Sequence, residues 1–447
     1  MFSAFLNIVR IPDLRKKVLF TLGVLIVYRM GVFIPLPGLN LEAIQAGLGH
    51  TDDAFGRFIN LMDMFAGGGL KKVSIFALGI MPYISASIIF QLLTFVVPAI
   101  QRVAKEGESG RRRINQWTRY TTIGLCIIQA FMICGALQND EQNNIRRVME
   151  PGMFFLLQSA LILTTGTAFL MWLGDQIDEF GIGNGMSVII MIGITSRLPA
   201  AIHDIANNFD PAIESSTGAA VGPSQLVALG VMFLAMIAAV VFVTEATRRI
   251  PMQTPKRTKM GFRQPHYLPL KLTVSGVIPI IFADALLMVP NFLTTFQNPT
   301  LQELLSYFQR GAFVYITVYV LLIVFFCYFY TVVVFDPKEH AENFKQYGMF
   351  IPGIRPGPDT RHYLEKVMNR ITLAGAVFIA VIAIVPQIIQ DWLHVSSQAS
   401  GFFGGTGLLI VVGVALDMLN RIESHLIMER YEGFLKSGGR IRGRKGG

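Results

Sequence analysis

Ionisable side chains within the long apolar segments are the residues of this chain best suited to chemistry, and they are few. Arg29 and Asp284 lie inside predicted membrane spans, while Glu245 and Asp417 lie near span ends. Charged groups at such depth are costly and often mark ion or substrate pathways, so Asp284 is a candidate cation site or gate partner. We favour the alternative, a carboxylate near the outer mouth satisfied by water or by Arg29, because a lone acid near a base is more often paired than catalytic.

Motifs of hydrolytic and metal-dependent enzymes are absent from the sequence. It has no GxxxxGK(S/T), HExxH or GxSxG pattern, and no predicted span carries paired carboxylates. Its three cysteines, Cys126, Cys134 and Cys327, form no CxxC or Cys/His cluster. We therefore expect neither an enzyme nor a cofactor nor a bound metal.

Composition predicts an all-α polytopic membrane protein. Hydrophobic residues make up 52% of the 447 residues and charged residues only 15%, against about 25% charged in soluble domains. The length leaves room for about ten spans of roughly 20 residues. We place them near 18–35, 75–97, 118–137, 152–173, 185–202, 224–244, 272–293, 312–334, 371–389 and 404–420.

Charge in the loops predicts that both termini lie in the cytoplasm. Lys and Arg cluster in the N-terminal segment, in the loops after spans two, six and eight, and in the tail. Loops with such an excess face the cytoplasm. The one cytoplasmic exception is the loop after span four, which contains Asp175, Asp178 and Glu179 without a basic residue.

A short motif occurs twice, in spans two and seven. Its copies are Gly79-Ile80-Met81-Pro82-Tyr83-Ile84 and Gly276-Val277-Ile278-Pro279-Ile280-Ile281. Helix-breaking residues within a span are tolerated where the backbone is buried in protein or faces a cavity. Because five spans per half is an odd number, two tandem copies insert with opposite orientation. The pattern predicts two inverted five-helix repeats around a central pathway, with spans five and ten equivalent as well.

The predicted organisation has four parts. They are an N-terminal half (1–202, spans one to five), an external linker (203–223), a C-terminal half (224–421, spans six to ten, with cytoplasmic loops 245–271 and 336–370) and a basic cytoplasmic tail (422–447).

An apolar constriction is the predicted feature of the pathway. Apolar rings gate by dewetting and by soft steric fit. The alternative is ordinary helix packing, which periodicity alone favours. The candidate side chains are Ile80, Ile84, Met186, Ile190, Ile281 and Ile410.

A glycine-rich segment precedes span two and is a candidate plug for the pathway. Three consecutive glycines disfavour a stable isolated helix, so we expect a short, mobile, half-apolar segment. The alternative is a flexible external loop. The segment comprises Asp63, Met64, Phe65, Ala66, Gly67, Gly68, Gly69 and Leu70.

The basic loops after spans six and eight are candidate docking surfaces. Alternatively, these charges only set the orientation of the chain in the membrane. That role explains a few charges well, but it explains the length of the loops and the clustering of their charges less well. Clustered cations suit RNA phosphate or an acidic protein partner, and Arg355 is held in a Pro/Gly turn. The candidates are Arg248, Arg249, Lys256, Arg257, Arg263 and Arg355.

Several long motifs, in order along nearly the whole chain, resemble the SecY family, the central subunit of the bacterial protein-conducting channel. They are SIFALGIMPYISASII (74–89), GIGNG (181–185), LPLK (268–271), FIPGIRPG (350–357) and FGGT (403–406). The resemblance implies an hourglass channel in which polypeptide passes through the apolar ring, with the plug at about 63–70. Met186 departs from the isoleucine common in the family, which implies a softer seal.

The resemblance also implies a lateral gate and a set of partners. The gate has spans two and three on one side and spans seven and eight on the other. Its polar lining comprises Ser87, Gln91, Thr122 and Thr273. The partners are SecA or the ribosome at the basic loops, SecE, SecG, signal sequences, nascent polypeptides and membrane lipid, in the bacterial inner membrane. Asp284 lies where a small residue is expected.

Two other functions are alternatives to a protein-conducting channel. They are a secondary transporter of a small solute and a membrane scaffold without transport.

Overall fold

The structure is a computed structural model, and it is mostly helical. It describes residues 11–40, 63, 66–139, 148, 151–207, 209, 222–253, 266–273, 276, 278–293, 312–393 and 406–437. The elements in chain order are α1 (Pro12–Val32), α2 (Met81–Val96), α3 (Pro98–Lys105), α4 (Glu108–Asn139), α5 (Met153–Phe180), α6 (Gly185–Thr195), α7 (Leu198–Asn207), α8 (Pro223–Glu245), β1 (Thr247–Met252), β2 (His266–Lys271), α9 (Ile278–Leu293), α10 (Phe313–Val334), α11 (Pro337–Gln346), α12 (Pro358–Leu393) and α13 (Thr406–Ser437).

A helix lies at each of the ten predicted spans. Within the described residues, five helices are long and apolar enough to cross a membrane, and the bent pair α2–α3 makes a sixth. The prediction of an all-α polytopic membrane protein is confirmed. Two boundaries differ from expectation, since α7 continues into the predicted linker as far as Asn207 and α13 continues into the predicted tail as far as Ser437.

The helices form two groups that meet at two helix pairs. In the N-terminal group α5 packs on α1, α4 and α6, and α2 packs on α4. In the C-terminal group α10 packs on α9 and α12, and α13 packs on α8 and α12. The closest helix pairs between the groups are α2 with α9 and α6 with α13. These are spans two with seven and spans five with ten, the pairs that the repeat prediction treats as equivalent.

The repeated Gly/Pro motif begins a helix in both halves. Gly79 has φ 57° and Gly276 has φ 59°, and α2 and α9 each start two residues later. Pro82 and Pro279 are the second residues of these helices, where a missing N–H costs no hydrogen bond. The interpretation of this motif as a break inside a span was therefore wrong. The chain turns at a left-handed glycine, and the helix starts after it.

The acidic loop predicted after span four is helical. α5 extends to Phe180, and the Asp175 carboxylate accepts a hydrogen bond from Arg119 on α4 at 2.7 Å. Asp178 Oδ1 accepts the backbone N–H of Gly185 at 2.8 Å, at the first residue of α6. Arg119 thus supplies the basic partner that the local sequence lacks.

The two long basic loops, which follow spans six and eight, fold into one unit. We call it the docking platform after its predicted role, and it comprises β1, β2, α11, residues 350–357 and the first turns of α12. β1 and β2 pair antiparallel, with Ile250 opposite Leu268. Gln253 and Phe350 exchange backbone hydrogen bonds of 2.9 and 3.0 Å, joining the first loop to the second. A separate apolar core fills the unit, comprising Ile250, Leu270, Phe335, Phe344, Ile351, Leu364, Val367, Met368 and Ile371.

Close packing of α5 against α6 predicts that Gly185→Ala is destabilising. A methyl group at Gly185 would lie 1.9 Å from the carbonyl oxygen of Gly174, so the backbones must move apart. We expect the substitution to lower the free energy of unfolding by about 2 kcal/mol, within the range for overpacked cores. The measurement is a lower Tm in detergent. Gly230→Ala on α8 is the matched control because its methyl group meets nothing within 4 Å. An equal Tm for both variants would contradict this packing.

Candidate functional site

The six candidate ring residues belong to one contiguous apolar cluster. Five are buried, with exposed fractions of 2% (Ile80), 7% (Ile84), 8% (Met186), 4% (Ile190) and 0% (Ile410), while Ile281 is half-buried. They come from α2, α6, α9 and α13 and from the residue just before α2, at the two helix pairs that join the halves. The seam between the halves therefore contains a cluster of apolar side chains, five isoleucines and one methionine.

Met186 differs from the other candidates in what it packs against. A methyl group placed on Gly174 would lie 2.7 Å from the Met186 sulfur, so this side chain rests on α5. A thioether fills such irregular gaps well. The structure therefore places Met186 at the α5–α6 contact as well as in the cluster.

The described part of the candidate plug is tied down by a buried carboxylate. Asp63 has an exposed fraction of 0% and forms an ion pair with Arg197, which follows α6. Its Oδ1 also accepts the backbone N–H groups of Leu70 and Lys71, each at 2.9 Å. Ionised acceptors make the stronger hydrogen bonds, so this group fixes both ends of the segment.

Gly67 supplies a second attachment of the segment. Its carbonyl oxygen accepts hydrogen bonds from Arg29 at 3.0 Å and from the Ser196 hydroxyl at 3.3 Å. With φ 65° and a would-be Cβ 2.7 Å from the Tyr28 hydroxyl and 2.9 Å from the Gly193 Cα, the position requires glycine. We call the Asp63–Arg197 pair together with these bonds to Gly67 the plug latch.

In this structure the described residues of the candidate plug are packed against the protein, and the expected mobility of the segment stays a prediction. Asp63, Ala66, Gly67, Gly69 and Leu70 are all buried. The glycines permit tight turns and close backbone approach here, and they do not act as flexible spacers. Met64 and Phe65 lie outside the described residues.

Two cations next to the plug segment lie over the ring of Phe33, at the predicted outer face. The Lys72 ammonium lies 3.7 Å from the centroid of the Phe33 ring, and the Arg29 guanidinium lies 4.9 Å from it. Partial burial, with the Arg29 charge as a lesser cause, lowers the pKa of Lys72 from its usual value. Asp284 on α9 is buried at 8% exposure. Within the described part of the chain, no three His, Cys, Asp or Glu side chains are placed to hold a metal ion.

Three of the candidate gate residues lie on or beside the contacting helices α2 and α9. Ser87 and Gln91 lie on α2, and the Gln91 amide donates to the Ser87 hydroxyl at 3.3 Å. Thr273 is buried in the segment before α9, which packs on α2. Thr122 is fully buried on α4, and its hydroxyl donates to the Thr118 carbonyl of the same helix at 2.7 Å.

An aromatic contact between α2 and α10, the helices of predicted spans two and eight, was not predicted from the sequence. Phe95 on α2 and Phe329 on α10 meet edge to face with ring centroids 5.4 Å apart. Phe282 on α9 packs edge to face on Phe326 of α10 at 5.5 Å. Phenylalanines in apolar spans carry no sequence signal for such pairing, because their partners lie far along the chain.

The docking platform presents part of the candidate cationic set. Arg248 and Arg249 are exposed on β1. Arg355 is exposed in a turn bounded by left-handed Gly353 (φ 85°) and Gly357 (φ 109°), and its carbonyl accepts the Thr360 hydroxyl at 2.8 Å. Lys256, Arg257 and Arg263 lie outside the described residues.

Comparison with known proteins finds one family throughout. The SecY family matches residues 74–419. A protein translocase subunit SecY of Aquifex aeolicus is 43% identical over 435 residues, covering 95% of this chain and 97% of its own length. Its counterpart from Escherichia coli K12 is 43% identical over 433 residues, covering 95% of this chain and 94% of its own length.

A solved structure of a protein conducting channel has a similar fold. It superposes with a TM-score of 0.64 over 93% of each chain at 17% sequence identity. The solved structure therefore supports the same overall fold for this chain.

Proposed function

The chain belongs to the SecY family of protein translocase subunits, and we propose how its own residues seal and open a protein-conducting channel. Such a subunit is a membrane channel for polypeptides and not an enzyme. The alternative of a small-solute transporter is not supported, since the relatives at 43% identity are translocase subunits.

One observation carries the proposal. The candidate ring side chains lie in one buried apolar cluster at α2–α9 and α6–α13, the helix pairs that join the two halves. A ring at such a seam widens when the halves part, and it binds no passing side chain strongly because it is apolar. In the closed state it excludes water and ions by dewetting.

The plug latch is the second element of the closed state. Asp63 and Gly67 anchor the segment to Arg197, Ser196 and Arg29 at the outer face. Polypeptide passage requires this segment to leave, and with it the ion pair must break. The latch therefore sets the free energy of opening.

The lateral gate is proposed between α2 and the α9–α10 pair. Ser87 and Gln91 give one wall a polar character, and the Phe95–Phe329 contact closes it. An apolar signal sequence that reaches this seam gains by moving into lipid. Thr273 lies on the facing side, and Thr122 contributes through α4, which supports α2.

The partners act on the platform and around the halves. Arg355, Arg248 and Arg249 offer exposed cations on a folded unit, suited to SecA, which supplies energy from ATP, or to the RNA of a ribosome. SecE and SecG complete the translocase, and nascent polypeptides and signal sequences are its substrates. The chain lies in the bacterial inner membrane with both termini in the cytoplasm. The excess of Lys and Arg in its loops and tail supports this orientation.

Reconstitution tests the function. The chain is purified with SecE, placed in liposomes, and mixed with SecA, ATP and an unfolded secretory precursor. Precursor protected from protease only when all components are present is the expected result. Absence of protection while a control channel works in parallel would contradict the proposed function.

A further inference from the structure

A cleft at the base of the docking platform combines two arginines with an apolar floor. Its volume is about 560 Å³, within the range of small-ligand pockets. The lining residues are Ala246, Thr247, Arg248, Leu270, Leu272, Arg370, Ile371 and Ala374.

The cleft lies where three chain segments change between apolar predicted spans and polar loops. α8 ends at Glu245, β2 ends at Lys271 ahead of α9, and α12 changes from charged to apolar residues after Arg370. The Leu272 N–H donates to the Ala246 carbonyl at 2.8 Å, which holds two of these segments together. A methyl group on Gly375 would lie 2.6 Å from the Leu272 carbonyl oxygen, so α12 closes the back of the cleft tightly.

The cleft has a positively charged part and an apolar part. Arg248 and Arg370 are exposed, and no lining residue is acidic; Glu245, next in sequence to the lining, is exposed. Leu270, Leu272 and Ile371 form the apolar surface. Guanidinium groups recognise phosphate by charge-assisted hydrogen bonds, and cytoplasmic leaflets carry anionic lipids.

We propose that this cleft binds the headgroup of an anionic phospholipid. The phosphate lies between Arg248 and Arg370, and the glycerol and first acyl carbons lie on the apolar floor. A protein helix fits less well, because it would set apolar side chains against two guanidinium groups at the rim. The inference goes beyond the proposed function and rests on the chain being a membrane protein whose docking platform faces the cytoplasm.

The test measures lipid retention by native mass spectrometry. The chain is purified with SecE in a nonionic detergent and titrated with a short-chain phosphatidylglycerol or with phosphatidylcholine of equal chain length. We expect phosphatidylglycerol to bind more tightly. Each of Arg248→Gln and Arg370→Gln should weaken its binding about fivefold, and both together about 25-fold.

A matched double variant and a rescue keep the outcome interpretable. Arg249→Gln with Lys366→Gln removes the same charge from the same elements, at residues that do not line the cleft, and should change binding by less than about twofold. Arg248→Lys with Arg370→Lys should retain most binding, which excludes misfolding as the cause of loss.

Three results would overturn the proposal. Equal losses in both Gln doubles would indicate diffuse charge attraction. Displacement of the lipid by millimolar inorganic phosphate would indicate a free-anion site. Loss of SecE from the Arg248/Arg370 double, with lipid retained, would assign the cleft to the protein partner.

Discussion

Replacing Asp63 with Asn is expected to raise the ion leak of the idle channel about 30-fold. Asn keeps an oxygen for the Leu70 and Lys71 N–H groups but loses the charge that pairs with Arg197. Breaking a fully buried pair costs about 3–5 kcal/mol. For the Asp63–Arg197 pair we expect a smaller cost of about 2 kcal/mol, because the Arg197 side chain is 26% exposed. A change of this size shifts the closed–open equilibrium about 30-fold.

Conductance of the reconstituted channel without SecA or precursor measures this effect. Arg197→Gln should leak similarly, and the double variant should leak little more than either single one, because both remove one interaction. Glu108→Gln is the matched control, since its pair with Arg112 is 77–80% exposed and contributes little. Unchanged conductance in Asp63→Asn would show that the latch does not hold the closed state.

Charge reversal at Arg355 should nearly abolish SecA-driven transport. The side chain is exposed in a turn that two left-handed glycines fix, so Glu at this position presents its charge to the same acidic partner. Placing like charges against each other costs several kcal/mol. About 3 kcal/mol corresponds to about 100-fold weaker SecA binding, measured directly by binding and as lost protease protection of the precursor.

Lys338→Glu separates this effect from a general loss of positive charge. Lys338 is exposed in the first turn of α11, in the same platform, where a helix N-terminus accepts an acidic residue well. We expect transport close to that of the unchanged chain. Equal inhibition by both reversals would mean that the platform acts only through its net charge.

Local pattern predicted the spans and the ring candidates, because apolar run length and the repeated Gly79 and Gly276 motifs are encoded in neighbouring residues. The role of the repeated motif was predicted wrongly. We interpreted it as a break within a helix, whereas Pro82 and Pro279 lie in the first turns of their helices. Sequence spacing alone does not distinguish these two positions.

Long-range contacts account for what the sequence did not reveal. Asp63 and Arg197 are 134 residues apart, so nothing local marked them as a pair. The platform needs Gln253 to meet Phe350 from another loop, and its strands contain Pro251 and Pro269, which weaken a strand signal. The docking arginines were predicted as charges on loops, but their folded support was not.

Cross-linking within the ring tests whether polypeptide passes between the candidate ring side chains. Cys126, Cys134 and Cys327 are first replaced, and Ile190→Cys or Ile410→Cys is combined with a precursor that carries one cysteine and is arrested during transport. Val231→Cys, on the apolar outer surface of α8 with 63% exposure, is the control. We expect disulfides from positions 190 and 410 and not from 231. Efficient cross-linking at 231, with none at 190 or 410, would contradict it.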